Sequence, residues 1–125
     1  MKIDYARYQT LSITRKGVDD AVLDIQMRAT NGKLPTAGHA GHRELAEIWR
    51  DVSADDSVKV AVLRGEGLGF SGGGDLGLVQ DMASDFAVRS QVWKEARRPK
   101  VAHAPWAFSC CSRSLSRPLS RDIAA

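Results

Sequence analysis

Val58-Lys59-Val60-Ala61-Val62-Leu63, followed by Arg64-Gly65-Glu66-Gly67-Leu68-Gly69-Phe70-Ser71-Gly72-Gly73-Gly74-Asp75-Leu76, decides how the chain is read. The first six residues are apolar except Lys59, the pattern of a strand buried on both faces. The next thirteen contain six glycines. A buried strand that runs into a glycine-rich loop, and then into a helix, places backbone N–H groups where a ligand can approach them.

Upstream, Tyr5–Arg15 and Ala21–Ala29 alternate and flank Lys16-Gly17-Val18-Asp19-Asp20, which carries turn chemistry; the pair reads as a hairpin. Thr30–Gly38 is loop. His39–Val52 has Leu45, Ile48, Trp49 and Val52 on one side and reads as a helix, with Glu44, Glu47, Arg50 and Asp51 on its wet side. Leu76–Arg98 reads as helical, in two pieces that meet near Ser84-Asp85, with Phe86, Val88, Val92, Trp93 and Ala96 as the apolar side. The order is β–β–α–β–glycine loop–α, an α/β layer structure.

The 125 residues favour one domain, and 43% hydrophobic with 26% charged content excludes collagen-like and wholly disordered classes. No apolar run approaches the 18 or so residues of a membrane span. The start, MKIDYARYQT, has no apolar core of a secretory signal, so a cytoplasmic location is expected. The charge is unevenly placed. Residues 1–96 hold 12 Lys/Arg against 14 Asp/Glu, net −2, whereas residues 97–125 hold six against one, net +5. All 11 glycines fall in the first part, and three of the four prolines in the second. The division is therefore 1–96 as a folded unit and 97–125 as a basic, low-complexity, disordered tail. A basic tail suits polyanions, but the body is slightly acidic, so nucleic acid is not the expected partner of the whole.

Gly67-Leu68-Gly69-Phe70-Ser71-Gly72 matches the dinucleotide pattern G-x-G-x-x-G. The glycines continue through Gly74, however, and the acidic ribose partner would fall inside the following helix. A P-loop needs Gly-Lys-Ser/Thr, and Gly74 is followed by Asp75. What remains is an oxyanion site built from backbone N–H groups, or a plain flexible connection. His39 and His42 are spaced H-x-x-H with no useful third ligand, so they read as solvated and no metal is expected. Trp49 and Trp93 read as core. Adjacent Cys110-Cys111 is neither a redox motif nor a disulfide framework.

Asp55 to Gly67 together with Phe70-Ser71-Gly72-Gly73-Gly74-Asp75-Leu76 resembles the crotonase (enoyl-CoA hydratase/isomerase) superfamily, with its "D-x-x-V-x-x-V-V-L-x-G-x-G" strand and "F-S-A-G-G-D-L" loop. The resemblance covers residues 5–96. It implies the N-terminal part of a ββα spiral fold, an acyl-CoA thioester as substrate, and enolate stabilisation by two backbone N–H groups. No separate cofactor is implied, because coenzyme A is part of the substrate. Gly72, where the family has Ala, would supply the first N–H. Gly72, Gly73, Gly74, Asp75 and Leu76 would line the thioester site, with Ala37 contributing from the loop before the first helix and Thr36 standing where the family has Asn. Asp75 reads as a helix N-cap. Homotrimers or hexamers are implied.

The family's second donor and catalytic glutamates follow a later glycine-rich turn, and no glycine follows Gly77 here. Residues 97–125 have the Arg/Ser/Pro/Cys bias of a shifted reading frame, so the chain reads as a truncated or frame-shifted crotonase, a genuine basic extension being the alternative. From another class, the rival is a non-catalytic interaction module whose basic tail binds polyanions.

Overall fold

Leu23, Ile25 and Met27 alternate with Val22, Asp24 and Gln26, so one side of their strand must be covered and the other can face outward. The structure, a computed structural model that describes residues 2–29 and 34–97 and the backbone of Ser109–Cys110, covers that side with a helix. Strand β1 (Leu11–Lys16) and strand β2 (Val22–Met27) form an antiparallel hairpin around a 3₁₀ turn, Val18–Asp20. Helix α1 (His39–Ala54) crosses over to strand β3 (Val60–Gly65), which pairs with β2 in parallel. Helices α2 (Leu76–Ser84) and α3 (Phe86–Ala96) follow, and a two-residue strand β4 (Ser109–Cys110) lies parallel to Val62–Leu63. The sheet order is β1-β2-β3-β4.

Leu23, Ile25, Ile48 and Val58 are fully buried and join Tyr5, Tyr8, Leu11, Met27, Val52 and Ala61 in one core between the sheet and α1. Each of the buried Leu, Ile, Val and Met side chains among them contributes roughly 1.5–3 kcal/mol of transfer free energy. Trp49 packs at the edge of this core, as its helical position implies.

Four features differ from the sequence reading. The first strand starts at Leu11, not Tyr5, because Tyr5–Tyr8 forms a turn (Tyr8 N–H to Tyr5 O, 3.1 Å) that turns both tyrosines into the core. The segment Val58–Leu63 is covered on one face only: Ala61 is buried, whereas Val60 and Val62 share the half-buried outer face with Asp24 and Gln26. On that outer face Arg64 meets Asp24 at 2.8 Å, and Lys16 meets the same carboxylate, which is how a charge is tolerated in a central strand. Third, Trp93 is 58% exposed, with the Arg97 guanidinium 4.5 Å above its ring. The buried side of α3 is instead Val92 and Glu95, because Glu95 meets His42 of α1. Fourth, the sheet has a fourth strand.

The break between α2 and α3 falls at Asp85, as its residue type suggests. Its N–H closes α2 on Asp81 O at 2.8 Å, and its carboxylate opens α3 by accepting from Ala87 N–H at 2.7 Å. The expectation of a disordered tail concerns residues outside the described ones, apart from Arg97 and the β4 backbone.

Candidate functional site

The glycine loop leaves β3 at its C-terminal end and returns as a short extended segment, Gly72–Asp75, beside residues 35–37. Ala37 and Gly74 form a parallel bridge: Ala37 N–H donates to Gly73 O (2.8 Å) and Asp75 N–H donates to Ala37 O (3.1 Å). Gly73 makes the segment possible at φ +91°, a conformation that favours glycine. Ser71 Oγ accepts from Gly73 N–H (3.0 Å) and donates to Pro35 O (3.3 Å). The result is a stitched pair of backbone segments, held independently of side-chain identity at most positions.

Gly72 N–H donates to Pro35 O at 2.8 Å, so in this structure its proton is directed at the loop and not at open space. Ala37 uses its own N–H and carbonyl on the Gly73–Asp75 side, which leaves the Gly74 N–H on the opposite edge. Among the described residues that N–H has no partner. Asp75 is the N-cap of α2, its Oδ1 accepting from Leu78 N–H at 2.7 Å. An Asp75→Ala variant is expected to lose about 1 kcal/mol, read as a lower urea midpoint with unchanged slope.

A cavity of about 550 Å³ lies against this backbone pair, bounded by Thr10, Leu11 of β1, Met27 of β2, residues 35–41, Leu45 and Asp75. Of the residues named from sequence, Ala37 and Asp75 line it. Gly72, Gly73 and Gly74 stand outside its wall, and Leu76 is 79% exposed at the start of α2. The structure thus joins Ala37 to Gly73, Gly74 and Asp75 and leaves Leu76 apart.

His39 also lines the cavity, and its Nε2 lies 2.7 Å from Asp81 Oδ2 of α2. His42 Nδ1 lies 2.8 Å from the buried Glu95 carboxylate. Burial pushes the Glu95 pKa up, but the bonds from Gln91 and His42 outweigh it and hold the carboxyl below its ordinary range. Both histidines were expected in solvent; His39 is exposed, with its side chain 47% accessible, whereas His42 is part-buried against Glu95. Their partners lie on helices more than 40 residues later, and local spacing carries no signal of that. No His/Cys/Asp/Glu group suited to a metal occurs among the described residues, and no helix among them is long and apolar enough to cross a membrane.

The sheet, crossover helix, glycine segment and helix pair define the N-terminal part of the crotonase fold. Solved structures make the likeness explicit. An enoyl-CoA hydratase/isomerase from Mycobacterium paratuberculosis superposes with TM-score 0.67 at 24% identity, over 75% of this chain and 36% of that one. A beta-diketone hydrolase from the cyanobacterium Anabaena gives 0.63 at 22%, over 75% and 36%. An enoyl-CoA hydratase subunit from Geobacillus kaustophilus gives 0.63 at 21%, over 82% and 38%. The chain spans a little over a third of the length of these structures. No family model and no curated sequence matches it.

Proposed function

We propose that the chain binds an acyl-CoA thioester along the Gly72–Asp75 segment and stabilises negative charge on the thioester oxygen as an enolate forms. The observation that carries this reading is the backbone bridge between Ala37 and Gly74, which sets a glycine segment, with an N–H at its edge that has no partner among the described residues, in the N-terminal part of a crotonase fold. Such a donor needs no ionisable side chain and is already oriented before charge develops. The neighbouring cavity is of the size that small-molecule sites have.

Gly72 is the donor that the family resemblance assigns. For it to serve, the bond to Pro35 O must be exchanged for one to the substrate oxygen. The net cost of such an exchange is about 1 kcal/mol, and glycine gives the peptide the freedom to make it. Acid–base groups are the weaker part of the site. Glu66 Oε2 is held by Ala29 N–H and Asp75 Oδ1 by Leu78 N–H. Loss of one oxyanion donor costs about 10²–10³ in rate and loss of a general acid or base about 10²–10⁴. Binding without appreciable crotonyl-CoA hydration is therefore expected of the 125-residue chain alone.

Calorimetric titration of crotonyl-CoA tests the reading. The wild-type chain is expected to bind, and Gly72→Pro, which has no N–H to give to Pro35 O or to a ligand, to bind at least tenfold more weakly with its fold retained by circular dichroism. Absence of binding by the wild type, or equal affinity for both, contradicts the proposal.

A further inference from the structure

Helix α3 packs on α1 and α2 through Val92 and Glu95, with Val88 half-buried beside them. At about 100° per residue, the opposite side carries Phe86, Ser90, Trp93 and Arg97. They are spaced four, three and four residues apart, the seam spacing of a helix that packs on another helix. Phe86 is 74% exposed, and Trp93 projects from the same side two turns later, about 10 Å along the axis. Ser90 lies between the two rings and is small enough to leave a gap there. Each ring is held by a guanidinium. Arg89 lies 5.6 Å from the Phe86 centroid and donates to Met82 O at 3.1 Å, and Arg97 stands over Trp93. Rings held in this way lose less freedom on docking. Arg89 and Lys94 flank the seam on its two sides. The only carboxylates of the helix and its cap are engaged elsewhere: Asp85 accepts from Ala87 N–H and Val88 N–H, and Glu95 meets His42 and Gln91. The outward side therefore holds two aromatic rings and three cations with no acid among them.

We infer that this face docks an acidic amphipathic helix of a partner protein, whose apolar seam fills the gap between Phe86 and Trp93 and whose carboxylates lie opposite Arg89 and Lys94. Trp and Arg are the residue types that most often carry binding energy at interfaces, and charges at the two flanking positions set which helix is accepted. Like charges disfavour a second copy of this chain as the occupant. Parallel pairing of two such faces sets Arg89 against Lys94, and antiparallel pairing sets Arg89 against Arg89 and Lys94 against Lys94. Three turns of helix make a small interface, so the complex is weak and transient. None of the seam residues lines the cavity beside Ala37 and Asp75, so the inference does not depend on the acyl-thioester reading.

Titration of the ¹⁵N-labelled chain with a synthetic three-heptad peptide, with Ile and Leu at its seam and Glu at both flanking positions, tests the inference. Saturable shifts are expected along Phe86–Arg97, with affinity falling as salt rises. A peptide with Lys in place of each Glu should bind at least tenfold more weakly. Trp93→Ala should weaken binding of the Glu peptide at least tenfold, with the fold retained by circular dichroism because the ring is exposed. Arg89→Glu combined with Lys94→Glu should reverse the preference between the two peptides. Lys94→Glu alone, which leaves the Arg89–Met82 bond in place, should narrow it. Arg50→Glu, on the exposed side of α1, should leave it as in the wild type. Equal affinity for the two peptides, equal affinity of wild type and Trp93→Ala, shifts confined to residues 98–125, or no saturable shift on α3 except with phosphatidylserine vesicles would overturn the proposal.

Discussion

Asp55→Ala is expected to cost the protein about 3–5 kcal/mol, the range for stripping one partner from a buried ion pair. Asp55 is fully buried, yet it carries a charge, because its carboxylate accepts from Ile3 N–H (3.1 Å), Tyr5 Oη (3.0 Å), Ser57 N–H (3.1 Å), Ser57 Oγ and the Arg15 guanidinium. These five donors tie the N-terminal segment, β1 and the entry to β3 to the end of α1. Alanine would leave Arg15, its side chain only 14% exposed, without its counter-charge, and would leave the buried Tyr5 hydroxyl without its acceptor. Urea unfolding at pH 7 is the measurement, with Asp55→Asn losing less than Asp55→Ala because it keeps an acceptor.

The same residue sets an acid limit. Burial pushes the Asp55 pKa up, but the bonds from Ser57, Ile3 N–H, Arg15 and Tyr5 outweigh it and hold the carboxyl well below the usual carboxylate range. An unfolded Asp titrates near 4. A group depressed on folding contributes stability that is present above its unfolded pKa and lost as pH falls below it. Wild-type stability should therefore decline progressively below about pH 4, and the Asp55→Ala curve should be flatter there.

The second large effect is expected at Gly65, the last residue of β3. A Cβ built there would sit 2.2 Å from the carbonyl oxygens of both Gly69 and Phe70. No side chain can swing away to make room, because the obstacles are backbone. Gly65→Ala should cost toward the upper end of the roughly 1–3 kcal/mol typical of overpacking, and it should shift the whole loop that leads to Gly72. Thermal unfolding with calorimetric titration of crotonyl-CoA reads both losses. A fold and affinity equal to wild type would show that the loop does not return against β3 as described.

The parts of the fold that rest on local pattern were legible. Leu23, Ile25 and Met27 announce a one-sided strand, Leu45, Ile48 and Val52 the inward stripe of α1, and Asp85 the break between two helices. What depends on distant partners was not. Tyr5 leaves the strand because it answers to Asp55, 50 residues away. Trp93 faces out because Glu95 of its helix is drawn inward by His42, 53 residues earlier. The buried side of β3 is single because Val60 and Val62 look onto a face whose central residue, Asp24, is charged and paired.

At the candidate site the glycine segment and the cap at Asp75 were readable from residue types, and the resemblance placed Ala37 beside them. Hydrogen-bond direction was not readable. That Gly72 turns its N–H to Pro35 O, and that the Gly74 N–H has no partner among the described residues, follows from the φ of Gly73 and from the register of one bridge. Neither is encoded in the string of glycines, each of which can adopt either hand.

Thioester binding at the glycine segment is read residue by residue in ¹⁵N–¹H spectra of the full 125-residue chain titrated with butyryl-CoA, a saturated thioester that cannot be hydrated. The largest saturable shifts are expected on Gly72, Gly73, Gly74 and Asp75, with Thr36 and Ala37 following across the bridge. Saturable shifts that spare both segments, or the absence of any saturable shift in the folded protein, would contradict thioester binding there.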